Sequence, residues 1–399
     1  MTKPSQAVSA ILDAISSARI ALNKNEPGSR ESLIDHSRAL IATLEIPSEF
    51  IQRTFWAEPA QSAIIRLAVD VKLFQHLQEA ANASLSLSSL SQKTGVDATL
   101  LSSLARHLVA MKLITFDNGA FHATKMSNDL AADNFQHGIC YCYDVVRPSV
   151  NAFPAFLKRI KYKSPSTDGT DVPFHDGHKT QLPFFEWLVA TPPHLHQFDS
   201  FMSAYRAGKP NWYDFYPVSE RIIEGFDSST SDVLLVDVGG GRGHDAASFA
   251  AQYTSHPGKI VMQDREPVIA SLLAQGSSQC FQAEVHNFFT PQPIKGARVY
   301  YLHSILHDWG DADSVKILES LVPALKKGYS RVLLNEIVVN EEEPTLAATS
   351  MDLMMLAHFG VRERTEAELG SLLTKAKLRL VKAFSFPGVA ESLIEAELA

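Results

Sequence analysis

The residues best suited to chemistry in this chain follow strand-like apolar runs in its second half. The first run, 233–238, leads into a turn that contains Gly239, Gly241 and Gly243. Later runs lead to or carry four more candidates, namely Asp264, Asn287 with Phe288, His307, and Glu336. Because ligands bind outside the carboxyl ends of the strands in open α/β sheets, we expect these side chains to share one edge of a sheet.

The glycine-rich turn predicts a site for a nucleoside ligand. Glycine has no Cβ, so backbone N–H groups can approach a ligand closely. A dinucleotide fingerprint requires its third glycine at 244, where this chain has His244. The spacing therefore disfavours NAD and favours another nucleoside, with S-adenosylmethionine (SAM) as the leading candidate. A tight strand-to-helix turn without any ligand is the alternative.

The strand-end residues after this turn fit the same ligand. Asp264 comes 21 residues after Gly243 and is placed to accept hydrogen bonds from ribose hydroxyls. Asn287 and Phe288 offer an amide and an aromatic face to an adenine.

His307 has the chemistry of a general base. Imidazole titrates near neutral pH, and a carboxylate partner fixes its tautomer and raises its basicity. Glu336 and Glu363 are the carboxylates available for that role. The alternative for His307 is a helix-start residue bonded to the backbone, and the alternative for Glu363 is a solvated surface charge.

The elements that must position these residues form a helical first part and an α/β second part. Helical patterns cover 8–23 and 63–74, and a loop is predicted over 163–180. A helix–turn–helix over 87–111 precedes a hairpin at Asn118-Gly119, which is the winged-helix pattern. Strand-like runs then alternate with helical segments, as in a parallel sheet, over 233–238, 259–263, 280–285, 297–302 and 331–339, with a further run at 378–384.

We therefore predict three domains. A helical, winged-helix-like dimerisation domain covers 1–130, a helical connector that lines the substrate pocket covers 131–225, and an α/β domain that binds the cofactor covers 226–399.

Composition excludes several classes of protein. The formal charge of −8 and a recognition helix with only Arg106 disfavour nucleic-acid binding, so a DNA-binding regulator is a remote alternative. No apolar run reaches the roughly 18 residues of a membrane span, and the N-terminus lacks an apolar signal core. Three cysteines give neither a disulfide framework nor a metal site. We expect a cytoplasmic protein without a metal, a nucleic-acid partner or a membrane partner.

Four stretches, taken together, resemble the plant caffeate-type and fungal secondary-metabolite O-methyltransferases. They are Leu235–Gly243, Phe288–Pro293, Ile305–Trp309 and Glu363–Thr365. The resemblance covers nearly the whole chain. It implies a Rossmann-like, mostly parallel sheet that binds SAM, preceded by a winged-helix module that forms a homodimer.

The resemblance also implies a role for each site residue. SAM lies over Gly239, Gly241 and Gly243, with Asp264 on its ribose and Phe288 against its adenine. His307 takes the proton from a hydroxyl of a small aromatic or polyketide-type secondary metabolite. Glu336 and Glu363 hold the imidazole from either side.

The chain departs from the family pattern in two places, and the family includes a second reaction type. Asn287 replaces a usual acidic residue, and His303 stands where Lys or Arg is common. Some fungal relatives bind SAM without transferring its methyl group and instead direct dehydration and pericyclic ring closure. His137 and Arg206 would serve that alternative. The presence of His307 with both carboxylates favours methyl transfer.

Overall fold

The computed structural model describes residues 6–80, 84–202, 205, 208–274, 280–387 and 389–399. The described residues divide into two compact units. The first lies within Met1–Pro154 and Phe174–Ala207, and the second lies within Ala155–Pro173 and Gly208–Ala399. The division into three domains over 1–130, 131–225 and 226–399 stays a prediction.

Helices alternate with short π-helical turns along the first part of the chain. The helices up to residue 202 are Gln6–Asn23, Ser29–Leu44, Pro47–Gln52, Glu58–Asp70, Leu73–Glu79, Leu87–Thr94, Ala98–Ala110, Lys125–Asp129, Asp133–Tyr141, Arg147–Asn151, Phe153–Arg159, Pro173–His178, Phe184–Ala190 and His194–Met202. The π-helical turns are Arg53–Ala57, Cys142–Val146 and, later, Ser219–Ile223.

A small antiparallel sheet completes the first unit. Its strands are β1 (Leu85–Ser86), β2 (Ile114–Asp117) and β3 (Ala120–Ala123), in the order β1-β3-β2. Asn118 and Gly119 join β2 to β3 with φ values of 49° and 81°, as a tight hairpin turn requires. Asp97 Oδ1 caps the helix Ala98–Ala110 by accepting the Thr99 and Leu100 N–H groups at 2.9 and 3.0 Å. These elements lie where the sequence predicts them, while the winged-helix assignment itself stays a prediction.

The second unit is built on a seven-stranded sheet. Its strands are β4 (Val233–Val238), β5 (Lys259–Asp264), β6 (Gln282–Val285), β7 (Val299–His303), β8 (Arg331–Ile337), β9 (Leu378–Ser385) and β10 (Glu391–Leu398), in the order β6-β5-β4-β7-β8-β10-β9. β4 to β8 are parallel, and β10 is antiparallel to both of its neighbours. The structure therefore confirms the predicted fold class, an α/β fold with a mostly parallel sheet.

Apolar side chains pack on both faces of this sheet. Val236 and Val238 of β4 belong to one cluster, and Leu234 and Leu235 belong to the other. Such burial on both faces is typical of parallel strands covered by helices. The helices of this part are Trp212–Phe215, His244–Gln252, Glu266–Ala274, Asp311–Leu321, Leu346–Phe359 and Glu366–Lys375. Among the described residues, no helix combines the length and hydropathy needed to span a bilayer.

Three elements differ from the sequence prediction. The predicted helix 63–74 ends at Asp70 and a new one begins at Leu73, because Lys72 adopts a left-handed φ of 51°. The predicted loop 163–180 contains the helix Pro173–His178, where Phe174 is fully buried. The strand β10 was not predicted, because its alternating acidic residues suggest an exposed segment.

Candidate active site

The turn after β4 has the backbone conformation that its glycines predict. Gly239, Gly241 and Gly243 have φ values of 75°, 58° and 74°, a region in which other residues are strained. A Cβ atom on Gly239 would lie 2.6 Å from Ile305 Cδ1, whereas one on Gly241 would meet nothing within 4 Å. The turn is thus packed against the protein at Gly239 and open at Gly241.

Strand β5 supports this turn through backbone hydrogen bonds. The Gly239 and Gly240 N–H groups donate to the Gln263 carbonyl at 2.7 and 3.2 Å. The Gln263 side chain pairs with that of Gln292, each amide nitrogen donating to the other's oxygen at 3.1 and 2.8 Å. Both side chains are fully buried. This reciprocal amide pair therefore fixes Gln263, the residue that supports the glycine turn.

The next predicted residues gather around the same turn. Asp264 Oδ2 accepts the Gly241 N–H at 2.9 Å. Asn287 Oδ1 accepts the Phe289 N–H at 3.1 Å and so shapes the loop that carries Phe288. Phe288 Cε1 lies 3.6 Å from the position of a Cβ on Gly239. An open turn, a carboxylate and an aromatic ring thus meet at one place, as a nucleoside site requires.

His303 ends β7 and contacts the helix that follows the glycine turn. Its Nδ1 atom shares a 2.5 Å hydrogen bond with Oδ2 of Asp245, and the Tyr301 hydroxyl donates to the same oxygen at 3.2 Å. Nearby, burial and the Asp245 charge raise the pKa of Asp237 well above its ordinary value. Sequence reasoning missed both acids, although Asp245 lies in the first turn of a helix, where a carboxylate is favoured.

His307 and Glu363 form the central pair of the site. The His307 Nδ1–H donates to Glu363 Oε1 at 3.0 Å, since a carboxylate oxygen accepts. This bond leaves Nε2 as the nitrogen that can take up a proton, and Nε2 lies 3.6 Å from Asp308 Oδ1. The side chains of His307 and Glu363 are 14% and 1% exposed, so the Glu363 carboxylate is shielded from water.

The charges around His307 decide its protonation. Burial lowers the pKa of His307, but the carboxyl groups of Asp308, Glu363 and Glu336 outweigh burial and raise it to about 10. Burial raises the pKa of Asp308 and of Glu336, while the charge of His307 opposes both shifts. The imidazole is therefore a stronger base than a free histidine side chain.

Glu336 contacts the backbone before His307. Its Oε1 accepts the Ile305 and Leu306 N–H groups at 3.0 and 2.8 Å. Its Oε2 is buried and has no hydrogen-bond partner in the described part of the chain. Of the two carboxylates expected to flank the imidazole, Glu363 bonds to it directly and Glu336 holds the turn that carries it.

His307, Glu336 and Glu363 are also the one set in the described residues that could share a metal ion. One potential ligand atom from each lies within 4.8 Å of the other two. All three side chains are already engaged in hydrogen bonds, since Nδ1 of His307 bonds Oε1 of Glu363 and Oε1 of Glu336 bonds the backbone. We therefore interpret the set as a hydrogen-bonded base.

Of the two residues named for the alternative reaction, the structure describes His137, which lies in the first unit. His137 Nδ1 and Ser200 Oγ share a hydrogen bond of 2.8 Å, and the His137 ring lies 4.8 Å from that of His196. Burial and His196 lower the pKa of His137, with Asp133 opposing them. Arg206 lies outside the described residues.

Comparison with known proteins assigns the family. A family model described as an O-methyltransferase domain matches residues 203–379. The O-methyltransferase mpaG of Penicillium roqueforti (strain FM164) is 61% identical over 396 residues, which are 99% of each chain. The chain belongs to the O-methyltransferase family. The present chain is also 59% identical over 391 residues to the O-methyltransferase mpaG of Penicillium brevicompactum, with 98% of each chain covered.

Solved structures agree on the fold and the cofactor. LepI in complex with SAM matches with a TM-score of 0.88 and 27% identity over 99% of this chain and 100% of that one. A structure described as a pericyclic reaction enzyme matches with the same values. OxaC in complex with SAH and oxaline matches with a TM-score of 0.80 and 25% identity, over 98% of this chain and 99% of that one. SAM is accordingly the cofactor of this O-methyltransferase.

Proposed function

We propose that the enzyme methylates a hydroxyl group of a small aromatic or polyketide-type secondary metabolite, with His307 as the general base. The observation that carries this proposal is the buried hydrogen bond between His307 Nδ1 and Glu363 Oε1. It leaves Nε2 as the basic atom and places a carboxylate where imidazolium charge develops.

The reaction needs one proton transfer and one methyl transfer. His307 Nε2 removes the proton of the acceptor hydroxyl, and the oxygen then forms a bond to the methyl carbon. Glu363 stabilises the resulting imidazolium through the Nδ1–H bond. Bound SAM would supply the methyl group from its sulfonium: the carbon–sulfur bond breaks as the oxygen–carbon bond forms, and the sulfur is left as the neutral thioether of SAH. Because the chemistry is a displacement, much of the rate comes from how the chain positions the two reactants.

The residues present fit a bound SAM. Gly241 leaves open space over the turn, Asp264 presents its carboxylate at that turn, and Phe288 lies beside Gly239. In this proposal Asp264 binds the ribose, and Asn287 with Phe288 holds the adenine. His303 contributes through Asp245, which it orients at the start of the next helix.

Replacing His307 tests the proposal. His307→Gln should lower acceptor-dependent SAH formation by about 10²- to 10⁴-fold, the contribution of a general base. The assay follows SAH by mass spectrometry across a panel of phenols and aromatic polyketides. His122→Gln in the hairpin of the first unit is the matched control and should retain the wild-type rate. Wild-type turnover by His307→Gln would rule out the base role.

A pericyclic or dehydration reaction on bound SAM is the second candidate. It is supported by the likeness to a pericyclic reaction enzyme and by His137, whose lowered pKa keeps its imidazole neutral at physiological pH. This candidate predicts product formation without SAH and a strong loss with His137→Ala. Stoichiometric SAH accompanying product would exclude it.

We also propose a cytoplasmic homodimer. Large apolar side chains are exposed near the N-terminal helices, where Phe50, Phe55 and Trp56 are 47%, 66% and 69% exposed. A second copy of the chain would bury them. The chain has three cysteines, which give no disulfide framework, as is typical of a reducing compartment.

A further inference from the structure

We infer that Arg364 is a positioning residue that holds the His307 turn in register with Glu363, an inference that rests on the proposed role of His307. The guanidinium spans both ends of the turn. Its Nη1 donates to the Leu306 carbonyl at 2.8 Å, and its Nη2 donates to the Trp309 carbonyl at 2.7 Å. Arg364 is only 6% exposed, so these bonds are protected from water.

Two further bonds fix the guanidinium itself. Its Nε donates to Asp311 Oδ1 at 3.1 Å, and Nη2 donates to Ser314 Oγ at 3.2 Å. The Ser314 hydroxyl in turn lies 3.3 and 3.2 Å from the same two carbonyl oxygens, of Leu306 and Trp309. The planar fork of arginine is suited to such a set, because its N–H groups point in fixed directions.

The turn is thereby held from opposite sides by groups of opposite polarity. The Leu306 N–H donates to the Glu336 carboxyl group, and the Leu306 carbonyl accepts from Arg364. His307 is the next residue along the chain. Both peptide groups that flank Leu306 are therefore bound by buried ionisable side chains, which restricts the backbone rotation that would move the imidazole.

The same segment also delivers the partner of the imidazole. Glu363 immediately precedes Arg364, and the Val339 N–H donates to the Arg364 carbonyl at 3.0 Å just beyond β8. The Glu363 N–H donates to Asp352 Oδ1 at 2.8 Å. The segment Glu363–Arg364 therefore positions both the carboxylate that bonds His307 Nδ1 and the guanidinium that clamps the turn, so Arg364 couples their positions.

Arg364→Lys isolates this role because it keeps the charge and removes the fork. A lysine ammonium cannot reach both carbonyl groups in the same geometry. We expect kcat to fall by about 10- to 100-fold, part of the full contribution of a general base. The KM for SAM should change by less than about twofold, since none of the four bonds touches the glycine turn. Arg362→Lys, at an exposed arginine paired with Glu368, is the matched control.

Direct observation of His307 separates positioning from general loss of structure. In enzyme labelled with ¹⁵N-histidine, the His307 signal is assigned by its absence in His307→Gln. Arg364→Lys should move the His307 titration midpoint to lower pH, because the bond from Nδ1 to Glu363 weakens. A wild-type kcat and an unchanged His307 titration in Arg364→Lys would overturn the inference.

Two further arms keep the result interpretable. If Arg364→Lys does not fold, Ser314→Ala removes one neutral part of the clamp and should shift the His307 midpoint in the same direction by a smaller amount. An unchanged midpoint there counts against the clamp. An active His307→Gln enzyme refutes the base role, whereas an inactive one combined with a wild-type Arg364→Lys refutes only the inference about Arg364.

Discussion

The basicity of His307 is a property of its neighbours. Three carboxyl groups act on a ring that burial alone would keep neutral, and their sum raises its pKa to about 10. Near neutral pH the ring in the resting enzyme is therefore mainly protonated. In the proposed mechanism the base is the deprotonated form, so the fraction of competent enzyme should grow as the pH rises.

This protonation predicts the pH dependence of catalysis. The kcat of the wild-type enzyme should increase through the alkaline range, with a midpoint well above the ordinary histidine value of about 6.5. Glu363→Gln removes one stabilising carboxylate, so the pKa of His307 should fall and the midpoint should move to lower pH, with a lower plateau. The measurement is kcat under saturating SAM from pH 6 to the limit of enzyme stability. A midpoint that Glu363→Gln leaves unchanged would contradict the prediction.

The sequence could predict which residue types meet at the site but not how each is used. The order of strands and polar residues was enough to predict that Asp264 ends a strand, that Glu336 lies near the end of another, and that His307 follows a third. The bond of Glu336 to two backbone N–H groups could not be predicted, because it depends on the path of a short turn. Arg364 was missed for a similar reason, since an arginine in the charged run 362–364 resembles a surface charge.

At the scale of secondary-structure elements, the turn after β4 uses glycine for two different reasons, close packing and open space. Gly239 and Gly243 are needed for packing, since a Cβ would lie 2.6 Å from Ile305 and 2.3 Å from Phe281, respectively. Gly241 has no such neighbour within 4 Å. The absence of a side chain at Gly241 therefore leaves the space above the turn open.

A matched pair of glycines tests this interpretation. Gly241 and Gly328 both have positive φ and open surroundings, but Gly328 precedes β8 at the amino end of the sheet. Alanine at either position should carry a similar backbone strain. Gly241→Ala should weaken SAM binding by about tenfold or more, roughly 1.4 kcal/mol, while Gly328→Ala should not. Isothermal titration with SAM measures both, and equal affinities would argue against a ligand over Gly241.

Strand prediction succeeded where burial follows a simple pattern and failed where charges are buried in pairs. Continuous apolar runs were enough to identify β4 and β7. The strand β10 contains Glu395, which is fully buried between Arg221 and Arg331. Its partners are remote in sequence, so nothing in the local pattern of acidic residues indicates the inside of a sheet.

At the scale of the whole molecule, the exposed apolar residues near the N-terminus predict assembly. Trp56 is 69% exposed, and a carboxylate there would be costly to bury in an interface. Trp56→Glu should therefore shift the protein from dimer to monomer in light scattering coupled to size-exclusion chromatography. Tyr162→Glu, at an aromatic residue 76% exposed in the second unit, is the control and should leave the mass unchanged. A monomeric wild-type protein would refute the homodimer.

The amide pair of Gln263 and Gln292 makes this support of the glycine turn insensitive to pH. Amide groups neither gain nor lose protons in the physiological range, so this support of the cofactor turn keeps its hydrogen bonds where His307 titrates. The protonation of His307 and this support of the glycine turn therefore respond differently to pH. Under the proposed mechanism, a rise in pH would therefore speed the chemistry and leave these hydrogen bonds in place.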